Sequence, residues 1–126
     1  MCRYDRRDIY PHVHWTPCDR GVAEDAKIVA WKLDYSWVNV NGAFPSSGTV
    51  AMLDACDGTD DKMQIASGDA IDGADKNISS MLVCRLWRDS TGDTWAGVTG
   101  AQSPAILEMD FHFESSSVGS RQPYIK

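Results

Sequence analysis

The chain has 126 residues, of which 43% are hydrophobic and 24% are charged, a composition typical of a globular protein with one core. Its 18 acidic and 12 basic residues give a formal net charge of −6, which argues against nucleic-acid binding because phosphate backbones are bound by concentrated basic surfaces. No apolar run approaches the roughly 20 residues of a membrane-spanning helix, and the N-terminus lacks the apolar core of a signal peptide. We therefore expect neither a nucleic acid nor a membrane as partner.

The first predicted strand is "IYPHVHWTP", residues 9–17. Apolar and polar residues alternate along it, and alternation is the signature of a strand with one buried side. Its inward face holds Ile9, Val13 and Trp15. Its outward face holds Tyr10, His12, His14 and Thr16.

The strongest strand pattern follows at residues 26–40. Its inward face holds Val29, Trp31, Leu33, Tyr35 and Trp37. The strand ends at Asn41-Gly42, a dipeptide that supplies the positive φ values of a tight turn. Two shorter strands are predicted at residues 49–55 and 62–66, separated by turns rich in Asp and Gly. Turn formation explains these acidic residues better than calcium binding, because their spacing does not match a calcium-binding loop.

The last two predicted strands lie at residues 78–89 and 106–116, with the stretch 90–104 between them predicted as a long surface loop. Helical periodicity is almost absent. The pattern predicts an all-β fold, an antiparallel β-sandwich that is jelly-roll-like and has six to eight strands. We expect a single domain over residues 1–126, with a short arm at 1–8 and a tail at 119–126. The expected core residues are Val13, Trp15, Val29, Trp31, Leu33, Tyr35, Leu82, Leu86, Leu107, Met109, Phe111 and Phe113.

His12 and His14 raise the question of a metal site. If the first and last strands pair, their outward faces bring both histidines near Asp110, His112 and Glu114, and a set of three histidines and a carboxylate would suit zinc or iron. The His-x-His spacing is similar to that of cupins, which are jelly rolls with a catalytic metal. Cupins, however, place a Glu a few residues after the second His and hold the metal inside the barrel. We therefore favour a solvated or subunit-facing polar strip, with no metal or cofactor, over a cupin-like metal-dependent enzyme.

Other sites receive less support from the residues. No Ser lies in a nucleophile elbow and no Cys lies beside a candidate base, so we predict no catalytic residue and no enzymatic activity. The four cysteines, Cys2, Cys18, Cys56 and Cys84, are too widely spaced for a zinc site and are expected to be reduced thiols. Trp95 is expected to be exposed in the long loop, where it could stack on a sugar, so a glycan-binding sandwich is the first alternative function.

Arg85 alternates with apolar residues in the middle of its predicted strand, so we expect a partly buried guanidinium, with which Asp110 or Glu108 on a neighbouring strand could pair. Such pairs more often fix strand register or a subunit contact than perform chemistry. We expect the assembly surface to include Tyr10, His12, His14, Arg85 and Trp87.

Four segments together resemble small structural proteins encoded among the virion genes of tailed bacteriophages and marine metagenomic phages. They are "DIYPHVHWTP", "VAWKLDYSWVNVNGAFP", "ISSMLVCRLWRDSTGDTWAG" and "ILEMDFHFESSSVGSR", and they extend over residues 8–121. The resemblance implies a non-enzymatic β-sandwich made in the host cytoplasm and assembled on the particle, as a capsid decoration or cement protein or as part of the tail or a fibre. Its implied partners are other virion proteins.

The outward strand faces are unusually apolar for a chain of this size, which predicts a homo-oligomer. The residues concerned are Tyr10, His12, His14, Ile28, Ala30, Val38, Met81, Val83 and Trp87. A trimer is expected by analogy with jelly-roll modules at threefold positions on virus particles. Histidines at the subunit boundary would loosen such an oligomer on mild acidification.

Overall fold

Six antiparallel strands make up the regular structure of the described part of the chain. They are β1 (Ile9–Thr16), β2 (Ile28–Val38), β3 (Gly48–Ala55), β4 (Gln64–Ser67), β5 (Met81–Arg88) and β6 (Ala105–Phe113). The computed structural model describes residues 8–17, 26–59, 61–77, 79–95 and 104–113, and these ranges contain no helix, hence none that could span a membrane. The expected tail, most of the arm, and both Cys2 and Cys18 lie outside the described residues.

The strands form two three-stranded sheets that pack face to face. Sheet A has the order β4-β1-β6, and sheet B has the order β3-β2-β5. The first strand pairs with the last and the second with the fifth, a nested pairing that is jelly-roll-like. The predicted all-β sandwich is therefore confirmed, with six strands in the described part of the chain.

The two central strands carry the core, and their alternation is as predicted. In β1, Val13 and Trp15 are fully buried, and in β2 the same holds for Val29 and Leu33. These side chains point between the sheets because successive residues of a strand face opposite sides. The predicted turn is also present, since Asn41 has a φ of 65° and the amide of Gly42 donates to the carbonyl of Asn39 at 2.9 Å.

The prediction was wrong for two core residues of β6. Leu107 is 55% exposed and Phe113 is 69% exposed. Leu107 is the extra residue of a β-bulge, because His14 pairs with Glu108 whereas the next β1 residue, Trp15, pairs with Ile106. A bulge interrupts the alternation on which the prediction depended. Phe113 is the last residue of its strand and pairs with Ile9, the first residue of β1.

Loops also contribute to the core, which the strand pattern did not indicate. Ile71, in the segment between β4 and β5, is almost fully buried and exchanges two backbone hydrogen bonds with Ile9. Trp95 was expected to be exposed but is only 3% exposed, and it packs edge-on against Trp15 with ring centroids 5.8 Å apart. The beginning of the long loop is therefore folded against the sandwich, where the amide of Thr94 donates to the carbonyl of Ile28.

Two residues of β2 that were expected on the apolar surface are buried. Ala30 lies beneath the turn after β5, where the amide of Asp89 donates to its carbonyl at 2.8 Å. Val38 is covered by the turn at Gly42, whose added Cβ would come within 3.0 Å of the Val38 side chain.

The two sides of the sandwich differ. On one side the edge strands β3 and β4 are in contact, and we call this the closed side. Because β3 and β4 are edge strands of their sheets, the other edge strands, β5 and β6, lie on the opposite side, which we call the open side. No residue of β5 or β6 is fully buried, not even those that face inward. The inward-facing Cys84, between Leu82 and Leu86, is exposed.

Candidate functional site: a histidine–aspartate cluster on sheet A

Pairing of β1 with β6 brings the three histidines of the chain to one face. In the register of these strands, His12 lies opposite Asp110 and Tyr10 lies opposite His112. Directly opposed residues of an antiparallel pair point to the same side of the sheet. The pairing on which the sequence-based metal hypothesis depended is therefore present, and it places the side chains on the outer face of sheet A.

Asp110 is the centre of this group, which we call the histidine cluster (His12, His14, Asp110 and His112). His12 Nδ1 lies 4.0 Å from Asp110 Oδ1. His14 Nε2 and His112 Nε2 lie 3.4 and 3.5 Å from Asp110 Oδ2. The rings of His12 and His112 are in contact, with centroids 4.2 Å apart and planes inclined by 44°.

These separations are too long for good hydrogen bonds, which join nitrogen and oxygen at about 2.7–3.2 Å. Two buried atoms of the cluster, His14 Nε2 and Asp110 Oδ1, have no hydrogen-bond partner. Buried polar atoms without partners are uncommon, and each one calls for an explanation. The cluster therefore has free capacity for a ligand.

The neighbouring strand β4 closes one flank of the cluster. Ser67 lies opposite His12, and the half-exposed Ile65 lies opposite His14. On the other flank, the outer edge of β6 has no partner strand among the described residues, so His112 is left largely exposed, with 62% of its side chain accessible. The histidine cluster is therefore shielded on one flank and open on the other.

The other predicted assembly residues lie elsewhere. Arg85 and Trp87 are on the outer face of sheet B, the opposite surface of the sandwich from Tyr10 and the histidines. The expectation for Arg85 was wrong, because β5 does not pair with β6, so neither Asp110 nor Glu108 is its neighbour. Its side chain is 72% exposed and its Nε lies 3.7 Å from Asp34 Oδ2.

Trp87 belongs to a small polar network on sheet B. Its indole Nε1 donates to Asp34 Oδ2 at 3.0 Å. Lys32 Nζ lies 5.4 Å and the Arg85 guanidinium 5.5 Å from the centre of its ring, so two cations contact one aromatic ring. We conclude that these contacts hold the Trp87 ring against sheet B.

Trp95 does not provide a sugar-stacking surface. The ring is buried against Trp15, and its backbone amide donates to Asp93 Oδ1 at 2.6 Å. Asp93 in turn accepts a hydrogen bond from Arg88 Nε. Since stacking on a glycan requires an exposed aromatic face, the glycan-binding alternative loses the residue on which it depended.

Sequence reasoning missed the role of two acidic residues after β5. Asp89 and Asp93 are both buried, and both bind backbone amides of the turn that follows them. Asp89 also pairs with Lys32, and this hydrogen bond is the main reason why its pKa lies well below the usual value. The spacing in "RDSTGD" is a turn signature, but nothing local indicates which lysine would face it.

Comparison with known proteins adds no relative, since no family model, no curated protein and no solved structure matches the chain. The resemblance to bacteriophage virion proteins stays a prediction from the sequence.

Proposed function

We propose that this chain is a non-enzymatic structural protein of a bacteriophage particle, a capsid decoration protein or a module of the tail or a fibre. It works by assembling with copies of itself and with other virion proteins. The resemblance of the four sequence segments supports the location on the virion. The open side of the sandwich supports the assembly.

The open side is the observation that carries the proposal. Large apolar residues of the two strands that border the open side remain exposed, those of β5 on the outer face of sheet B and those of β6 on sheet A. They are Met81, Val83, Ile106, Leu107 and Phe113. Both strands are also sheet edges among the described residues, so each has backbone donors and acceptors without a strand partner. Exposed apolar residues beside an unpaired edge are a recurring feature of protein–protein contacts.

A second copy of the chain is the proposed occupant of the open side. In an oligomer with closed point-group symmetry, every copy of such a surface is buried against another subunit, and no free edge remains to which further copies could add. We propose a trimer, by analogy with β-sandwich modules at threefold positions of virus particles. In such a trimer β5 and β6 would lie against neighbouring subunits, and the closed side would face outward.

The first test measures the molar mass of the full chain by light scattering at neutral pH and micromolar concentration. The wild-type protein is expected at about three times the 13.9 kDa of one chain, since the open side drives closed assembly. Leu107→Lys places a charge on the open side and is expected to lower the mass toward that of the monomer.

Leu53→Lys is the matched control, because Leu53 is as exposed as Leu107, at 55%, but lies on β3 at the closed side. It is expected to keep the wild-type mass. A monomeric wild-type protein would overturn the proposal that the chain self-assembles. Equal dissociation of the two variants would overturn the proposal that the open side forms the interface.

The virion location has a separate test. Mass spectrometry of purified particles of the phage that encodes the chain is expected to find it as a particle component. A copy number in the hundreds would assign it to the capsid surface, and a small number would assign it to the tail. Its absence from the particles would contradict the proposal.

A further inference from the structure

We propose that His12, Asp110 and His112 bind one divalent transition-metal ion of the zinc type on the outer face of sheet A. His14 is the positioning residue that holds the Asp110 carboxylate. This inference rests on the histidine cluster alone and does not depend on the proposed function.

The distances within the cluster are those of metal ligands. One ligand atom from each of His12, Asp110 and His112 lies within 4.8 Å of the other two. Tetrahedral zinc with bonds of about 2.1 Å places its ligand atoms about 3.4 Å apart. His12 Nδ1 lies 4.0 Å from Asp110 Oδ1 and His112 Nε2 lies 3.5 Å from Asp110 Oδ2, so each imidazole is near this separation from one carboxylate oxygen and beyond hydrogen-bond range. Small side-chain rotations would close the site around an ion.

The unpartnered atoms are also accounted for by an ion. Asp110 Oδ1, which faces His12, is buried without a hydrogen bond, and a metal ion would bind it directly. His14 Nε2 is likewise unpartnered and lies 3.4 Å from the other carboxylate oxygen, Oδ2. It can donate a hydrogen bond to that oxygen once the metal ion holds the carboxylate in place. Residues that hydrogen-bond to a metal ligand commonly orient it in this way.

The chemistry of the ligands selects the ion. Two imidazoles and one carboxylate suit zinc, cobalt, nickel and copper, whereas calcium and magnesium prefer an all-oxygen set. Three protein ligands leave a fourth position for water or an external group. That position faces solvent, because the His112 side chain is largely exposed and β6 is the edge of its sheet.

The test is a titration of the untagged, metal-free full chain with Co²⁺, followed by displacement with Zn²⁺. Tetrahedral cobalt absorbs visible light strongly, so the spectrum reports coordination geometry as well as affinity. The expected result is one equivalent of bound cobalt with the tetrahedral spectrum, which zinc abolishes. A thiolate-to-cobalt charge-transfer band would place the ion on a cysteine and overturn the proposal, as would the absence of stoichiometric binding.

Two ligand variants, one of the carboxylate and one of an imidazole, test which residues bind the ion. Asp110→Asn and His112→Ala are each expected to lower the affinity for the ion at least about 100-fold, because each removes a metal ligand. Loss of a residue that only hydrogen-bonds to a ligand lowers metal affinity by about 10–100-fold. His14→Gln is expected to lower the affinity by this smaller factor and to leave the stoichiometry of one ion per chain unchanged. Glu108→Gln is the control, since Glu108 is the next carboxylate on the same face of β6, opposite His14.

Thermal unfolding separates metal binding from folding. Saturating zinc is expected to raise the midpoint of the wild-type protein and of Glu108→Gln, because a ligand of the native state stabilises it. The midpoint of folded Asp110→Asn is expected to stay unchanged on adding zinc. If Glu108→Gln loses the ion and Asp110→Asn retains it, the assignment is overturned.

Discussion

Asp89 illustrates how single residues hold this fold at the end of a strand. Its carboxylate binds Lys32 Nζ at 2.6 Å and accepts from the amide and hydroxyl of Thr91 at 3.0 and 2.7 Å. The hydrogen bond from Lys32 contributes most to lowering the Asp89 pKa, followed by those from Thr91. One side chain therefore links the centre of sheet B to the turn that leads to the buried Trp95.

Acid is expected to weaken this link. A carboxyl whose pKa is lower in the folded state than the ordinary 3.8 stabilises the fold above about pH 4, and this contribution is lost as the pH falls below that value. Asp89→Asn removes the charge at every pH. We expect the wild-type protein to exceed the variant in free energy of unfolding at neutral pH, and the difference to shrink below pH 4. Urea unfolding across this range measures it, and a constant difference would contradict the prediction.

At the scale of elements, the closed side depends on a glycine. Gly68 follows β4, where its amide donates to the carbonyl of Pro11 at 3.0 Å. A Cβ at this position would lie 2.6 Å from Val50 Cγ1 and 2.8 Å from Met52 Cγ, both on β3. Only a residue without a side chain lets the two edge strands approach so closely.

Gly68→Ala is expected to lower the free energy of unfolding by about 1–3 kcal/mol, the usual cost of overpacking a core. The neighbouring exposed Ser67 offers the control, since Ser67→Ala adds no atom to the contact between β3 and β4. Chemical unfolding of both variants measures the costs. Equal stability of the two would show that β3 and β4 tolerate a wider separation.

At the scale of the whole molecule, the two sides of the sandwich are expected to differ in stability. The central strands β1 and β2 each have several buried residues, whereas β5 and β6 have none. Segments with few buried contacts open more readily than core strands. Self-assembly on the open side would therefore protect the least stable strands of the subunit.

Hydrogen exchange tests this expectation. Amides of β5 and β6 are expected to exchange faster than those of β1 and β2 in dilute protein, and to become slower as the protein concentration is raised into the range where it assembles. The amides of β3, on the closed side, serve as the internal control and should not respond to concentration. Protection of β3 instead of β5 and β6 would contradict the proposed interface.

The sequence by itself determined the strands and the buried faces of β1 and β2. Alternation with period two is a local property, so it identified the buried faces of β1 and β2 and put His12 and His14 on the outer side before any pairing was known. The same local signal identified the turn at Asn41. These predictions needed no information from distant parts of the chain.

Only the tertiary structure decided which strands meet and in what register. Asp110 became the centre of the histidine cluster because β1 pairs with β6 across about a hundred residues of sequence. Arg85 does not meet its expected partners because β5 does not pair with β6. The bulge exposed Leu107, and packing against Trp15 buried Trp95. Each of these outcomes depends on contacts between distant segments, whose free energy of packing is not encoded in local periodicity.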